Sequence, residues 1–164
     1  MTRIASWFVY LTLASLLVLT SPAAAQHTAS APRVTAVSAQ LYYEETGTFS
    51  RNILAPPGFA LWNAIIGGGD AEHASSATLV RVEVSGRNVP LGAVRVVVTA
   101  TGARGRILGR RESRVDLYDD RTKFYAPLFL NDTGCDEITI SARLLGRGVS
   151  SAPTVQTIPF RCGE

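Results

Sequence analysis

Two stretches in the middle of the chain alternate between apolar and polar side chains with a period of two. The residues on the apolar sides of the two stretches are Thr78, Val80, Val82, Val84, Val94, Val96, Val98 and Ala100. This period is that of a β-strand and not of a helix. The pattern therefore predicts two half-buried strands, and the turn at residues 86–90 between them predicts an antiparallel hairpin.

Further strand-like segments, bounded by turn residues, lie on both sides of this pair. They span residues 34–43, 48–54, 107–117, 124–130, 137–145 and 154–161. The polar segment 107–117 is typical of an edge strand, whereas 124–130 is apolar on both faces, as expected for a central strand. Residues 59–66 fit either a buried strand or two turns of helix, and their length favours a strand. The chain has no convincing amphipathic helix, so we predict an all-β fold, an antiparallel two-sheet sandwich.

The first twenty-five residues have the pattern of a secretory signal peptide. Arg3 precedes an apolar run over residues 4–19, and three alanines at 23–25 follow Pro22. The run is shorter than the ~20 residues of a membrane-spanning helix, so we expect no membrane span after cleavage. The predicted organisation is a signal peptide at 1–25, a flexible mature N-terminus at 26–33 and one domain at 34–164. We expect the mature protein to be exported and to be periplasmic or extracellular.

The charge of the chain is a weak guide to its partners. The net charge is +3, and Lys123 is the only lysine among the basic residues. This composition favours a general coding bias towards arginine over selection for arginine chemistry. We therefore expect no nucleic-acid partner.

The two cysteines, Cys135 and Cys162, are expected to form a disulfide, because an even count in an exported chain indicates pairing. The midpoint between them falls at residues 148–149, inside a glycine-bearing turn. The disulfide would then close the open end of a hairpin made by the last two strands. A catalytic thiol is disfavoured, because it needs a nearby base and the chain has only His27 and His73.

The predicted hairpin at 78–100, the corner Asp132-Thr133-Gly134 and the terminal hairpin resemble immunoglobulin-like domains of exported proteins. The resemblance covers roughly residues 76–162 and implies two packed antiparallel sheets. The chain lacks the core tryptophan and the tyrosine corner of antibody domains, and its cysteines lie on neighbouring strands. The resemblance is thus to a fold, and a fold alone assigns no activity.

Two groups of side chains are candidates for binding a partner. One is a run of arginines that could contact phosphates of an envelope polymer or an acidic protein, or could simply be the solvated charges of an edge strand. It comprises Arg104, Arg106, Arg110, Arg111 and Arg114. The other is aromatic and could line a groove for a sugar or a peptide, although most aromatic residues should be core. The aromatic candidates are Tyr42, Tyr43, Phe49, Phe59 and Trp62, of which we single out Tyr42, Tyr43 and Trp62 as a possible surface groove. Tyr42 and Tyr43 point to opposite faces, so at most one of them should be buried.

A third cluster, on a glycine-rich loop, has the residue types of a weak metal site. Asp70, Glu72 and His73 lie within four residues of one another. A single loop supplies too few fixed ligands, so we expect neither a metal nor a cofactor.

The sequence contains none of the catalytic motifs Gly-x-Ser-x-Gly, His-Glu-x-x-His and Ser-x-x-Lys. We therefore predict an exported, non-catalytic binding or structural module of the cell envelope that docks on a protein or polymer. One alternative is a periplasmic protein that binds a small ligand or a metal. The other is a hydrolase with a carboxylate pair or a site based on His73. Asn131 begins a glycosylation sequon, which matters only in a host that glycosylates exported proteins.

Overall fold

A computed structural model describes residues 30–118, 120–150 and 152–163. The predicted signal peptide lies outside these residues, as do positions 26–29. The described residues form eight strands: β1 Ser30–Tyr43, β2 Thr48–Phe49, β3 Ala77–Arg87, β4 Val94–Thr101, β5 Ile107–Arg114, β6 Lys123–Leu130, β7 Ile138–Gly146 and β8 Thr154–Ile158. Short 3-10 helices span Ala64–Ile66 and Ala103–Gly105. No helix in this part of the chain is long and apolar enough to span a membrane.

The strands form two four-stranded antiparallel sheets, which confirms the predicted fold class. The first sheet has the order β2-β1-β3-β6 and the second has the order β5-β4-β7-β8. Their inward faces share one hydrophobic core, in which Val82, Val96 and Ile140 are fully buried. Burial of one such side chain contributes about 1.5 to 3 kcal/mol, so the alternating apolar positions hold the two layers together.

The predicted hairpin between β3 and β4 is wrong. β3 pairs with β1 and β6 in the first sheet, whereas β4 pairs with β5 and β7 in the second. The chain between them crosses from one sheet to the other. The physical reason is that alternation specifies a buried face but no hydrogen-bonding partner, so the two valine-rich faces can meet across the core instead of side by side.

The predicted central position of residues 124–130 is also wrong, because β6 is an edge strand. Its outward residues Tyr125 and Phe129 are each 46 % exposed. Pro127 between them fits an edge, since proline has no N–H to donate to a second neighbour. The predicted edge position of the segment 107–117 is confirmed by β5.

Three further segments differ from the prediction. β1 begins at Ser30, so residues 30–33 of the predicted flexible terminus are part of the strand that pairs with β3. The predicted strand 48–54 is reduced to Thr48–Phe49, because the Asn52 side chain accepts hydrogen bonds from two backbone N–H groups and turns the chain. The slight preference for a strand at 59–66 is wrong: apart from one bridge at Trp62 and the short 3-10 helix, this segment is irregular.

A left-handed backbone explains why the segment 59–66 forms no strand. Asn63 has φ 51° and Gly67 has φ 77°, conformations that a strand cannot contain. Gly69, with φ 65°, passes so close to Ala60 that a Cβ atom would overlap the carbonyl oxygen of Ala60.

The disulfide between Cys135 and Cys162 is present. The register of β7 and β8 pairs Ile138 with Ile158, which centres the terminal hairpin on Gly148 as the cysteine spacing predicted. The bridge therefore closes the end of the second sheet opposite the turn.

A buried hydroxyl pair joins β3 to the corner at residues 131–134. The hydroxyl oxygens of Thr78 and Thr133 lie 2.8 Å apart, and the two residues are 0 % and 4 % exposed. We expect Thr133→Val to lower the free energy of unfolding by about 1 to 3 kcal/mol, because it leaves the hydroxyl of Thr78 buried without its partner. The double variant Thr78→Val, Thr133→Val should recover most of this loss, as measured by urea denaturation. The pairing is contradicted if the double variant loses as much stability as Thr133→Val alone, or as much as the sum of the two single variants.

Candidate functional site

The outer face of the first sheet carries a continuous row of large side chains, which we call the aromatic face. Its members are Tyr42, Phe49, Leu79, Arg81, Tyr125 and Phe129. Residues that oppose one another across antiparallel strands point to the same face. On this face, the register pairs Tyr42 with Phe49 towards one edge of the sheet, and Leu79 with Phe129 towards the other edge.

Ring contacts link the members of the aromatic face. The ring centroids of Tyr42 and Phe49 are 5.1 Å apart, and those of Tyr42 and Phe129 are 5.7 Å apart. Ala77 is the β3 residue opposite Tyr42, and its short side chain leaves room for the two rings to meet above it. Phe49 is 44 % exposed and Phe129 is 46 % exposed. Phe49, Tyr42 and Phe129 therefore form a connected aromatic surface that is partly exposed to solvent.

Charged groups lie beside Tyr125 at one end of the aromatic face. The guanidinium carbon of Arg81 lies 5.5 Å from the centroid of the Tyr125 ring. Beside it, Lys123 Nζ lies 3.0 Å from Glu83 Oε1, and the Thr35 hydroxyl also donates to that oxygen. The hydrogen bond from Lys123 lowers the pKa of the Glu83 carboxyl, and the same bond raises the pKa of Lys123. Both groups therefore stay charged at neutral pH.

The lowered pKa of Glu83 has a defined consequence for stability. Its stabilising effect is present above the ordinary pKa of a glutamate and is lost as the pH falls through the lowered value. The Lys123 side chain is 56 % exposed, so solvent screening keeps this effect small. The pair therefore gives the aromatic face a charged rim and adds little to the stability of the fold.

Of the three aromatic residues singled out from the sequence, only Tyr42 lies on this face. Tyr43 lies instead in the core, 1 % exposed, and its hydroxyl accepts a hydrogen bond from the backbone N–H of Glu72 at 3.2 Å. Trp62 is 55 % exposed in an irregular segment, bridged to Arg161 near the C-terminus. The structure thus does not bring the three residues together.

The surface positions of Phe129 and Tyr125 were not predicted from the sequence. The signal was present, because both occupy the same parity in a segment that is apolar on both faces. In an edge strand, this pattern places aromatic side chains in solvent on one side.

The five candidate arginines are divided between three places. Arg110 and Arg114 lie on the outer face of the second sheet, because they oppose Thr99 and Arg95 of β4. Arg111 opposes the inward residue Val98 and so lies on the other side of β5. The remaining two lie in the connection from β4 to β5: Arg104 and Arg106.

Two arginines outside the predicted run lie beside Arg110 and Arg114. They are Arg95 on β4 and Arg143 on β7, which share the outer face of the second sheet. We call the set Arg95, Arg110, Arg114 and Arg143 the arginine face. The outward parity of β4 and β7 was the signal for the two additional members, but only the strand order shows that they are neighbours of β5.

The side chains of the glycine-rich loop have separate partners. Asp70 Oδ2 accepts a hydrogen bond from the backbone N–H of Ala60 at 2.8 Å. His73 Nδ1 lies 3.6 Å from a carboxylate oxygen of Glu45, and Glu72 is exposed. Within the described ranges, no group of three or more histidine, cysteine, aspartate or glutamate side chains is arranged to hold a metal ion.

The fold defines the class of this protein as an all-β, antiparallel two-sheet sandwich with one disulfide near its C-terminus. Neither a family model nor a curated protein sequence matches the chain. Parts of several solved structures are similar to it, among them the three that follow. The first is a chain assigned as a β-galactosidase from Bacteroides fragilis, with 18 % identity over 51 % of this chain and a TM-score of 0.41.

The other two structures are both from glycoside hydrolase family 2. A member from Bacteroides cellulosilyticus has 16 % identity over 52 % of this chain and a TM-score of 0.42. A β-glucuronidase has 6 % identity over 52 % of this chain and a TM-score of 0.40. The matched region makes up 14 %, 13 % and 10 % of the three chains, respectively. The likeness is limited to part of the fold, and we transfer no activity from it.

Proposed function

We propose that this protein is an exported, non-catalytic binding module of the cell envelope, and that its aromatic face docks on a protein partner. The observation that carries this proposal is the row of partly exposed aromatic side chains across the first sheet. The disulfide supports export, because such bonds persist in oxidising compartments.

The composition of the aromatic face suits the centre of a protein interface. Large contiguous apolar patches are uncommon on soluble monomers and commonly mark interaction sites. Interface centres are enriched in tyrosine, phenylalanine and arginine and are surrounded by a polar rim. The row from Phe49 to Phe129 supplies the centre, and the ion pair of Glu83 with Lys123 supplies part of the rim.

The orientation of the rings favours a protein over a polysaccharide. The ring planes of Tyr42 and Phe49 are inclined by 48°, and those of Tyr42 and Phe129 by 69°. A flat sugar chain stacks on a level platform of ring faces, and rings inclined by these angles do not form one. Side chains of a protein partner can instead fill the clefts between inclined rings.

The test first identifies the partner and then measures how its affinity depends on the residues of the aromatic face. A photo-crosslinking residue at position 129 of the mature chain is used to label envelope extract, and the crosslinked protein is identified and purified. We expect Tyr42→Ala combined with Phe129→Ala to weaken binding of that protein by about 100-fold, because each residue is placed as an interface hot spot. Titration calorimetry measures the affinity, and a melting curve checks folding.

A matched control removes two exposed apolar side chains elsewhere. Ile66 and Leu91 are 73 % and 75 % exposed and lie outside the aromatic face. Ile66→Ser combined with Leu91→Ser should leave the affinity unchanged. The proposal fails if both double variants bind alike, if position 129 crosslinks only to a second copy of this chain, or if the face retains insoluble polysaccharide instead of a protein.

A further inference from the structure

We infer that the outer face of the second sheet holds a second binding site, for a linear polyanion that carries phosphate or carboxylate groups. The site is a shallow depression of about 260 Å³. Its lining comes from β4, β5 and β7 and from the residue before β8: Val97, Thr99, Arg110, Ser141, Arg143 and Pro153. It lies on the opposite side of the sandwich from the aromatic face, so it does not depend on the proposed docking function.

The floor of the depression is the apolar side chain of Val97, which neighbouring side chains cover. Val97 points outward, yet it is only 2 % exposed. Its neighbours across the strands are Glu112 on β5 and Arg143 on β7. Long charged side chains lie with their aliphatic stems along such an apolar surface and keep their charged ends in water. The guanidinium group of Arg143 is therefore placed at the rim of the depression.

Three hydrogen-bonding side chains cross the sheet in one line. Thr99 opposes Arg110 on β5 and Ser141 on β7. Neighbouring strands are about 4.8 Å apart, so a guanidinium group and two hydroxyls stand side by side on one face. Arg143 follows Ser141 at the next outward position of β7. This set offers two guanidinium groups and two hydroxyls to a single group of oxygen atoms.

The positive charge of this face is largely uncompensated. Glu112 is the carboxylate among these outward positions, and it pairs with Arg95. Among the described residues, Arg110, Arg114 and Arg143 have no carboxylate oxygen within 4.0 Å. Arg114 directly opposes Arg95, and like charges in that position are unfavourable for folding. A polyanion that extends from the depression to Arg114 would relieve that repulsion.

The chemistry of the donors identifies the ligand class. Guanidinium groups bind phosphate and carboxylate oxygens through two parallel hydrogen bonds, and the hydroxyls can donate to the remaining oxygens. Arg114 and Arg110 are four residues apart on β5, which places them about 13 Å from each other along the strand. A ligand with charges repeated along a chain can contact both, whereas a single small anion cannot.

The test uses the mature chain and two defined polymers, polyphosphate and polygalacturonate, with neutral dextran as the uncharged comparison. We expect at least one polyanion to bind at low salt, and Arg110→Gln combined with Arg143→Gln to weaken this binding at least about tenfold. The polymer that binds more tightly shows whether phosphate or carboxylate is preferred.

The matched control removes the same charge from the first sheet. Arg33 and Arg87 are exposed and lie at the ends of β1 and β3. Arg33→Gln combined with Arg87→Gln should leave the affinity for the polymer within about twofold of the wild-type value. The inference is overturned if neither polyanion binds, or if the two double variants weaken binding equally, since net charge alone would then explain it. The Phe129→Ala chain should bind the polymer normally, which separates this site from the proposed docking surface.

Discussion

Replacing both Cys135 and Cys162 with serine is expected to lower the free energy of unfolding by about 3.5 kcal/mol. The two cysteines are 27 residues apart in sequence, and a bridge over a loop of that length removes entropy chiefly from the unfolded chain. This loss is a large fraction of the stability of a small domain. Urea denaturation of the two proteins under oxidising conditions measures the difference.

Reduction provides the control for this prediction. Wild-type protein in the presence of a reductant should denature at the urea concentration of the serine variant, and the reductant should not change the variant itself. Thiol titration of denatured protein from its native compartment should detect no free thiol. Two free thiols per chain would contradict both the disulfide in that compartment and the predicted export.

Tyr43→Ala is expected to lower the free energy of unfolding by about 3 to 5 kcal/mol, the range for removing a large aromatic side chain from a core. Tyr43 is 1 % exposed and belongs to the core between the two sheets. Tyr42→Ala should cost only about 1 to 2 kcal/mol, because Tyr42 lies on the outer face and loses two ring contacts there. Thermal and urea denaturation of both variants measure the two losses.

The comparison of Tyr42 with Tyr43 is its own control, since the same atoms are removed at adjacent positions. Tyr43→Phe should cost about 1 kcal/mol, because it keeps the ring in the core and removes only the hydrogen bond that the Glu72 N–H donates to the hydroxyl. Equal losses in Tyr42→Ala and Tyr43→Ala would contradict the assignment of the two residues to opposite faces. If Tyr43→Ala weakened partner binding without lowering stability, the aromatic face as defined would be wrong.

The sequence was a good guide to which side chains of a strand share a face. The alternation over residues 78–85 and 94–100 places the valines of β3 and β4 in the core, because a strand has only two faces and water excludes one set. The cysteine spacing was equally informative for β7 and β8. Both inferences depend only on residues close together in the chain.

The candidate sites could be predicted less well, because each is assembled from strands far apart in sequence. Phe49 and Phe129 are both near Tyr42 only through the strand order β2-β1-β3-β6. In the same way, Arg143 lies near Arg110 because β4 is inserted between β5 and β7. The run of five arginines therefore predicted one cluster. In the structure only Arg110 and Arg114 of that run lie on the arginine face, together with Arg95 and Arg143.

By itself, the sequence determined the strand period, the buried faces of β3 and β4 and the pairing of the cysteines, since local backbone preferences and the hydrophobic effect act along each segment. Only the tertiary structure decided which strands are neighbours, because each strand edge offers the same backbone hydrogen bonds to any partner and packing across the core chooses between them. The two outer surfaces proposed here as binding sites are products of that choice.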